Sequence, residues 1–122
     1  MNNRQQDKRQ ESRLTTEETV FIELTSAEPG VEIPPDIVIS NSVDLSANGL
    51  RVTVDRDLVI GSILRACVQF RDAPQRYLLV TEVKWCRPHE RAGEFIAGLA
   101  LFESEGTDIQ SWKELIAERF SD

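Results

Sequence analysis

The chain has few of the residues on which metal and disulfide chemistry depend. Its 122 residues include two cysteines and one histidine. Cys67 and Cys86 stand nineteen positions apart, and neither has a second cysteine close by, so the spacing predicts neither a zinc site nor a disulfide. The single histidine, His89, argues against a histidine-based metal cluster. We therefore expect two reduced thiols, no bound metal and no cofactor.

Long hydrophobic runs and glycine-rich loops are also missing. The apolar runs are only a few residues long, whereas a membrane-spanning helix needs about 20 apolar residues. The start MNNRQQDKRQ has no apolar segment of the kind found in signal peptides. No glycine-rich loop joins a strand to a helix, which excludes a P-loop or a dinucleotide-binding fingerprint. We expect a cytoplasmic protein without direct membrane insertion.

Catalytic groups are equally sparse. His89 lies in the polar segment RPHERAG, a predicted hairpin tip, and no evident third group would orient it for nucleophilic catalysis. The acidic residues fall mostly on exposed strand faces and turns, where they do not share a pocket as acid–base pairs must. These features predict a protein that is not an enzyme.

Charge is distributed unevenly along the chain, whose formal net charge is -7. Residues 1–13 carry four basic and two acidic side chains, whereas residues 14–122 carry ten basic and nineteen acidic side chains. An acidic body repels a long polyphosphate, so we expect no DNA or RNA partner. We call residues 1–13 the basic leader. Its polar, apolar-poor composition predicts a flexible segment, which is still able to hold a small anion.

After the leader, hydrophobic alternation of period two predicts six strands separated by turn signals. The segments are ETVFIELT, DIVISNSV, LRVTV, ILRACVQF, RYLLVTEVKWC and EFIAGLALFE. In the second segment Ile37, Ile39, Asn41 and Val43 share one face; in the fifth, Trp85 shares a face with Tyr77, Leu79 and Val83. Six short strands in antiparallel steps favour a small barrel or sandwich.

The last segment, TDIQSWKELIAERF, has its apolar residues at helical spacing. Thr107 and Gln110 have the spacing of a capping box at the start of this helix. We expect one amphipathic C-terminal helix whose Trp112 and Phe120 cover an open end of the barrel.

Two short segments contain the candidate binding residues. The first, RQESR, holds Arg9 and Arg13 at the end of the leader; the second, DLSANG, holds Asp44, Ser46 and Gly49 between two strands. Each alone is a common pattern, since a basic segment is usually solvated and Asp-x-Ser-x-x-Gly describes an ordinary turn. In this order and context they resemble the signature of the PilZ domain family, the receptors of the bacterial second messenger cyclic di-GMP. The resemblance runs from about Lys8 to Phe120.

The resemblance implies a mainly β fold: a six-stranded antiparallel barrel over residues 14–122, with a flexible basic N-terminal tail and one C-terminal helix. It implies that Arg9 and Arg13 grip guanines and phosphates, while Asp44, Ser46 and Gly49 form the wall on the barrel side. Lys8, directly before Arg9, adds a cation that favours a stacked pair of ligands. The thirty-one positions between Arg13 and Asp44 are a long separation for the family.

The chemistry of these residues agrees with the resemblance. A guanidinium can donate two parallel hydrogen bonds to guanine O6 and N7, and the acceptor-only Asp44 suits the guanine N1 and N2 donors. Gly49 is expected to take a positive φ and to let a purine approach the backbone. Ordering five leader residues costs roughly 5 to 10 kcal/mol, more than the roughly 2 to 6 that two bidentate arginines return, so the leader is expected to order only around a ligand.

The predicted function is therefore a stand-alone cyclic di-GMP receptor that signals to an unidentified partner protein. The alternative is a degenerate PilZ-like protein-interaction module that keeps the fold but does not bind nucleotide.

Overall fold

In the part of the chain that the structure describes, six antiparallel strands are followed by one helix. The structure is a computed structural model of the chain and describes residues 13–24 and 36–120. The elements are β1 (Thr19–Leu24), β2 (Asp36–Leu45), β3 (Gly49–Val54), β4 (Ile63–Gln69), β5 (Arg76–Pro88), β6 (Phe95–Leu101) and α1 (Ile109–Arg119). The strands close into a barrel in the order β1-β2-β3-β6-β5-β4. The predicted six-stranded barrel with a closing helix is confirmed.

Alternating apolar side chains fill the barrel, as the period-two pattern predicts. Strand β2 differs, because its apolar residues Ile37 and Ile39 face outward and are 47% and 69% exposed. Its inward positions include Ser40 and Ser42, which are buried. The Ser40 hydroxyl donates to the Val20 carbonyl at 2.8 Å, and Ser42 Oγ accepts the Glu18 N–H at 2.8 Å. These bonds make the inward serines tolerable, since a buried hydroxyl without a partner is costly.

Two β-bulges determine which side chains lie on the outer face of the barrel. One lies in β2 between Ser42 and Asp44, and the other in β5 between Val83 and Trp85. An extra residue in one strand reverses the facing of everything after it. Asp44 and Trp85 therefore lie on the outer face, although strict alternation would place both inside. The prediction that Trp85 shares a face with Val83 is wrong for this reason.

The helix begins differently from the prediction. Its N-cap residue is Asp108, without a side-chain cap, and the predicted capping box of Thr107 and Gln110 does not form. The Thr107 hydroxyl donates to the Ser104 carbonyl at 2.6 Å instead. Asp108 is held by strand β5, because its carboxylate accepts the Leu78 N–H at 2.8 Å and its own N–H donates to the Leu78 carbonyl at 2.9 Å. Tertiary contacts therefore set the start of this helix.

Helix α1 closes one end of the barrel through Trp112. This side chain is fully buried, and its ring centre lies 5.9 Å from that of Phe70 and 5.8 Å from that of Tyr77. Phe120 is 42% exposed, so the predicted covering role holds for Trp112 and not for Phe120. Trp112 Nε1 donates to the Ser46 carbonyl at 2.9 Å, which ties the helix to the DLSANG turn.

The described residues also bear on the metal, thiol and membrane expectations. Cys67 and Cys86 are both free, and burial raises the pKa of each thiol. Within the described ranges, no group of three or more His, Cys, Asp or Glu side chains has the arrangement of a metal site. No helix in the same ranges has the length and the apolar character needed to cross a membrane.

Candidate ligand-binding groove

A cavity of about 210 Å³ opens on the outer face of the barrel, where β3, β6 and β5 meet the DLSANG turn. We call it the groove. Its cationic lining comes from Arg13, Arg51 and Lys84, and its aromatic wall is Trp85. The lining also includes Ser46, Asn48 and Gly49 of the turn, together with Leu50 and the β6 residues Gly98, Leu99 and Ala100.

Strand pairing lines up four residues across this face. Asp44 pairs with Arg51, Arg51 pairs with Gly98, and Gly98 pairs with Trp85. Each step moves one strand further around the barrel, from β2 to β5. The two bulges supply both ends of the row, because they turn Asp44 and Trp85 outward. An acidic end, a cationic position and an aromatic end thus share one surface.

Asp44 is buried although it lies on the outer face, with only 2% of its side chain exposed. Two guanidiniums cover it. Arg13 Nη1 donates to Oδ1 at 3.0 Å, and Arg51 donates to Oδ2 through Nε at 2.7 Å and through Nη2. The side chains of Arg13 and Arg51 remain 44% and 42% exposed. The hydrogen bond with Asp44 raises the pKa of Arg51, so this guanidinium stays charged.

The DLSANG turn is closed by hydrogen bonds between Ser46 and Gly49. Ser46 Oγ accepts the Gly49 N–H at 3.1 Å and donates to the Gly49 carbonyl at 3.2 Å. The Ser46 N–H donates to the same carbonyl at 2.9 Å. Ser46 therefore shapes the turn that borders the groove, which is a structural reason for a serine at this position.

Gly49 does not have the backbone conformation expected from the sequence. Positive φ occurs at Gly61, Gly93 and Gly106 and not at Gly49, which begins strand β3 in an extended backbone. The predicted positive φ is therefore wrong. The structure shows a different close approach from the expected one of a purine, because a Cβ at Gly49 would lie 3.0 Å from the Leu99 carbonyl oxygen of the neighbouring strand. The glycine lets β3 and β6 come together at the edge of the groove.

Trp85 lies flat against the backbone of the strand beside it. A Cβ at Gly98 would overlap the indole ring, so the absence of a side chain there makes room for the tryptophan. The guanidinium carbon of Arg87 lies 4.4 Å from the centre of the same ring. Gly98 could have indicated this arrangement from the sequence, since a glycine inside a strand often marks a close approach. The contact was not predicted because Trp85 was interpreted as a core residue.

The structure brings together four of the six predicted site residues: Arg13, Asp44, Ser46 and Gly49. The other two, Lys8 and Arg9, lie outside the described residues, as does most of the leader. The long separation between Arg13 and Asp44 is bridged because Leu14 pairs with Leu45 through two backbone hydrogen bonds of 2.7 and 2.8 Å. Sequence reasoning missed Arg51, Lys84 and Trp85, which reach the groove through strand register.

Comparison with known proteins places the chain in a family. The family model described as the PilZ domain matches residues 7–118. Among the solved structures that match is the Bacillus subtilis inhibitor of motility MotI/DgrA, with a TM-score of 0.63 and 19% sequence identity. The match covers 91% of this chain and 50% of that one, so the chain spans half the length of that structure. No curated protein matches the chain. Because the family model spans nearly the whole length of the chain, the chain belongs to the PilZ domain family.

Proposed function

We propose that this protein is a cytoplasmic cyclic di-GMP receptor that binds the dinucleotide in the groove and passes the signal to a partner protein. The observation that carries the proposal is the pair of guanidiniums, Arg13 and Arg51, that one buried carboxylate holds at the edge of the groove. Membership of the PilZ family supports the ligand class.

The charge of the groove suits a dinucleotide with two phosphates. Its lining residues carry three positive side chains and no acidic one within the described part of the chain. The positive charge of the groove is opposite in sign to the net charge of the whole chain, which is -7. A cationic cleft in an acidic protein attracts a small anion locally, while the rest of the surface repels nucleic acid.

The groove also has side chains that can bind the guanine bases of the ligand. Trp85 offers an aromatic surface once the Arg87 guanidinium, whose carbon lies 4.4 Å from the ring centre, moves aside, and stacking of a base on such a surface contributes about 1 to 3 kcal/mol. A guanidinium such as that of Arg13 can meet guanine O6 and N7 with two parallel hydrogen bonds. His89, the residue nearest to a catalytic candidate, does not line the groove. These groups are suited to binding a nucleotide rather than to cleaving it.

The role of Asp44 differs in part from the expectation that it reads guanine N1 and N2. A carboxylate has about four acceptor positions, and three are occupied by Arg13 and Arg51. Counting only contacts between described residues, one position on Oδ1 is left for a guanine N–H. We assign Asp44 first the task of orienting the two arginines, and second that single acceptor contact.

Titration calorimetry tests the proposal. The native chain should release or absorb heat on binding cyclic di-GMP, and Arg13→Ala should bind about 5- to 150-fold more weakly, because one bidentate contact is worth about 1 to 3 kcal/mol. Arg65→Ala is the matched control, since Arg65 forms an exposed ion pair with Glu23 and does not line the groove. Absence of heat from the native chain would reject the proposal and favour the non-binding PilZ-like interaction module.

The leader is proposed to close over the bound ligand. Arg13 and Leu14 are fixed on the barrel, and the four-residue spacing from Arg13 back to Arg9 can span at most about 14 Å of extended chain, which is short enough to return to the groove. Lys8 and Arg9 would then contact the phosphates from the open side. Amide exchange in residues 4–12 should therefore slow when cyclic di-GMP is added, as measured by mass spectrometry. An exchange rate that does not change at saturating ligand would contradict this closure.

A further inference from the structure

Arg51 is, with Arg13, one of the two arginines that line the groove within the described residues, and neither short motif contains it. It lies in β3 between the buried residues Leu50 and Val52, so its backbone is part of the rigid barrel wall. A guanidinium carries five N–H donors, of which Arg51 uses two on Asp44. Among the hydrogen bonds between described residues, three donors of Arg51, including both on Nη1, are left after the carboxylate is satisfied.

The fork between Arg51 and Asp44 fixes the orientation of the remaining donors. Two bonds from neighbouring nitrogens, Nε and Nη2, converge on one carboxylate oxygen, Oδ2, and restrict the guanidinium plane more than a single bond would. The side chain nevertheless lines the groove and is nearly half exposed. An oriented and accessible donor loses little conformational freedom when an anion binds, and this reduces the entropic cost of binding.

The neighbours of Arg51 indicate which part of a nucleotide would reach it. Gly98 separates Arg51 from Trp85 across the sheet, and the Trp85 ring covers Gly98. A base stacked on that ring would occupy the space beside Arg51, and its sugar and phosphate would extend from the edge of the stack. Lys84, on the same bulge as Trp85, adds a second cation at this side of the groove.

We propose that Arg51 is a phosphate-binding residue: Asp44 holds its Nε edge, while its Nη1 edge donates to a phosphate oxygen of the cyclic dinucleotide. This inference rests on the proposed function and adds a contact to it. Lysine cannot replace Arg51 in this role, because an ammonium is a compact point charge without the fork that bonds a carboxylate and a phosphate on opposite edges.

Arg56 provides a matched control within the same chain. Its side chain is 41% exposed, it bonds Asp55 and Asp36, and these hydrogen bonds raise its pKa just as Asp44 raises that of Arg51. It does not line the groove. Arg56→Gln therefore removes the same charge from the protein without removing a proposed ligand contact.

The experiment measures cyclic di-GMP affinity by calorimetry for the full chain and its variants, at low and high salt. Arg51→Gln should bind about 10- to 150-fold more weakly, the range for losing a hydrogen bond to a charged group. Its affinity should also depend less on salt than that of the native chain. Arg56→Gln should bind within about twofold of the native chain. If Arg51→Gln does not fold, Arg51→Lys replaces it and should remain at least about fivefold weaker.

A second readout separates contact from positioning. The ³¹P resonances of the bound ligand should differ between Arg51→Lys and the native complex if Arg51 touches a phosphate. Weaker binding with unchanged ³¹P shifts would mean that Arg51 only positions Asp44, and would overturn the phosphate assignment. Equal affinities for Arg51→Gln and Arg56→Gln would also overturn it while the proposed function stands. Failure of the native chain to bind at all would reject the proposed function and the inference with it.

Discussion

Replacing Trp112 with alanine is expected to lower the free energy of unfolding by about 3 to 5 kcal/mol, the usual cost of removing a buried aromatic side chain. Trp112 is fully buried and packs against the rings of Phe70 and Tyr77. Alanine would leave a cavity between the helix and the barrel, and the rigid strands around it cannot collapse to fill it. Urea denaturation monitored by circular dichroism measures the change.

Trp112→Phe separates the packing of the ring from its hydrogen bond. Phenylalanine retains most of the aromatic contacts but removes the Nε1 donor to the Ser46 carbonyl, a loss expected to cost about 1 to 3 kcal/mol. Phe120→Ala is the control, because replacing this exposed residue at the C-terminal cap of the helix should change stability by less than about 1 kcal/mol. An equally small change in the free energy of unfolding for Trp112→Ala would contradict the inference that Trp112 stabilises the closed end of the barrel.

The barrel itself could be predicted because its evidence is local and repeated. Each strand carries its own period-two pattern, and the switch to helical spacing after Thr107 marks the last element. The bulges could not be predicted in the same way. An inserted residue in β2 or β5 leaves no mark in the local sequence, and it becomes visible only when the partner strand is aligned. This is why Trp85 was assigned to the wrong face.

The candidate site likewise has residues that could be predicted from the sequence and residues that could not. Arg13, Asp44, Ser46 and Gly49 could be predicted from two short motifs, because those motifs resemble a family signature. Arg51 could not, since its relation to Asp44 depends on the register between β2 and β3 and not on sequence spacing. The predicted φ of Gly49 failed for a related reason. A glycine in a turn motif suggests positive φ, whereas here the neighbouring strand requires the close approach.

Replacing Asp44 with alanine is expected to weaken cyclic di-GMP binding by about 30-fold to 20,000-fold. Two arginine contacts worth about 1 to 3 kcal/mol each depend on the orientation that Asp44 imposes on Arg13 and Arg51. The free energy of unfolding should change much less than the free energy of cyclic di-GMP binding. Both guanidiniums are more than two-fifths exposed, so they regain water when the carboxylate is removed and no unpaired charge stays buried. Calorimetry and urea denaturation on the same samples measure the two effects.

Asp44→Asn provides the sharper comparison, because it preserves the shape of the side chain and removes its charge. The amide has one acceptor oxygen, and its NH₂ group would face the N–H donors of Arg13 or Arg51. Asparagine should therefore impair binding like alanine and destabilise the fold more than alanine does. Asp55→Ala, which removes an exposed carboxylate paired with Arg56, is the control and should leave the affinity within about twofold. If Asp44→Ala binds as tightly as this control, Asp44 does not organise the groove, and the two guanidiniums reach the ligand independently of it.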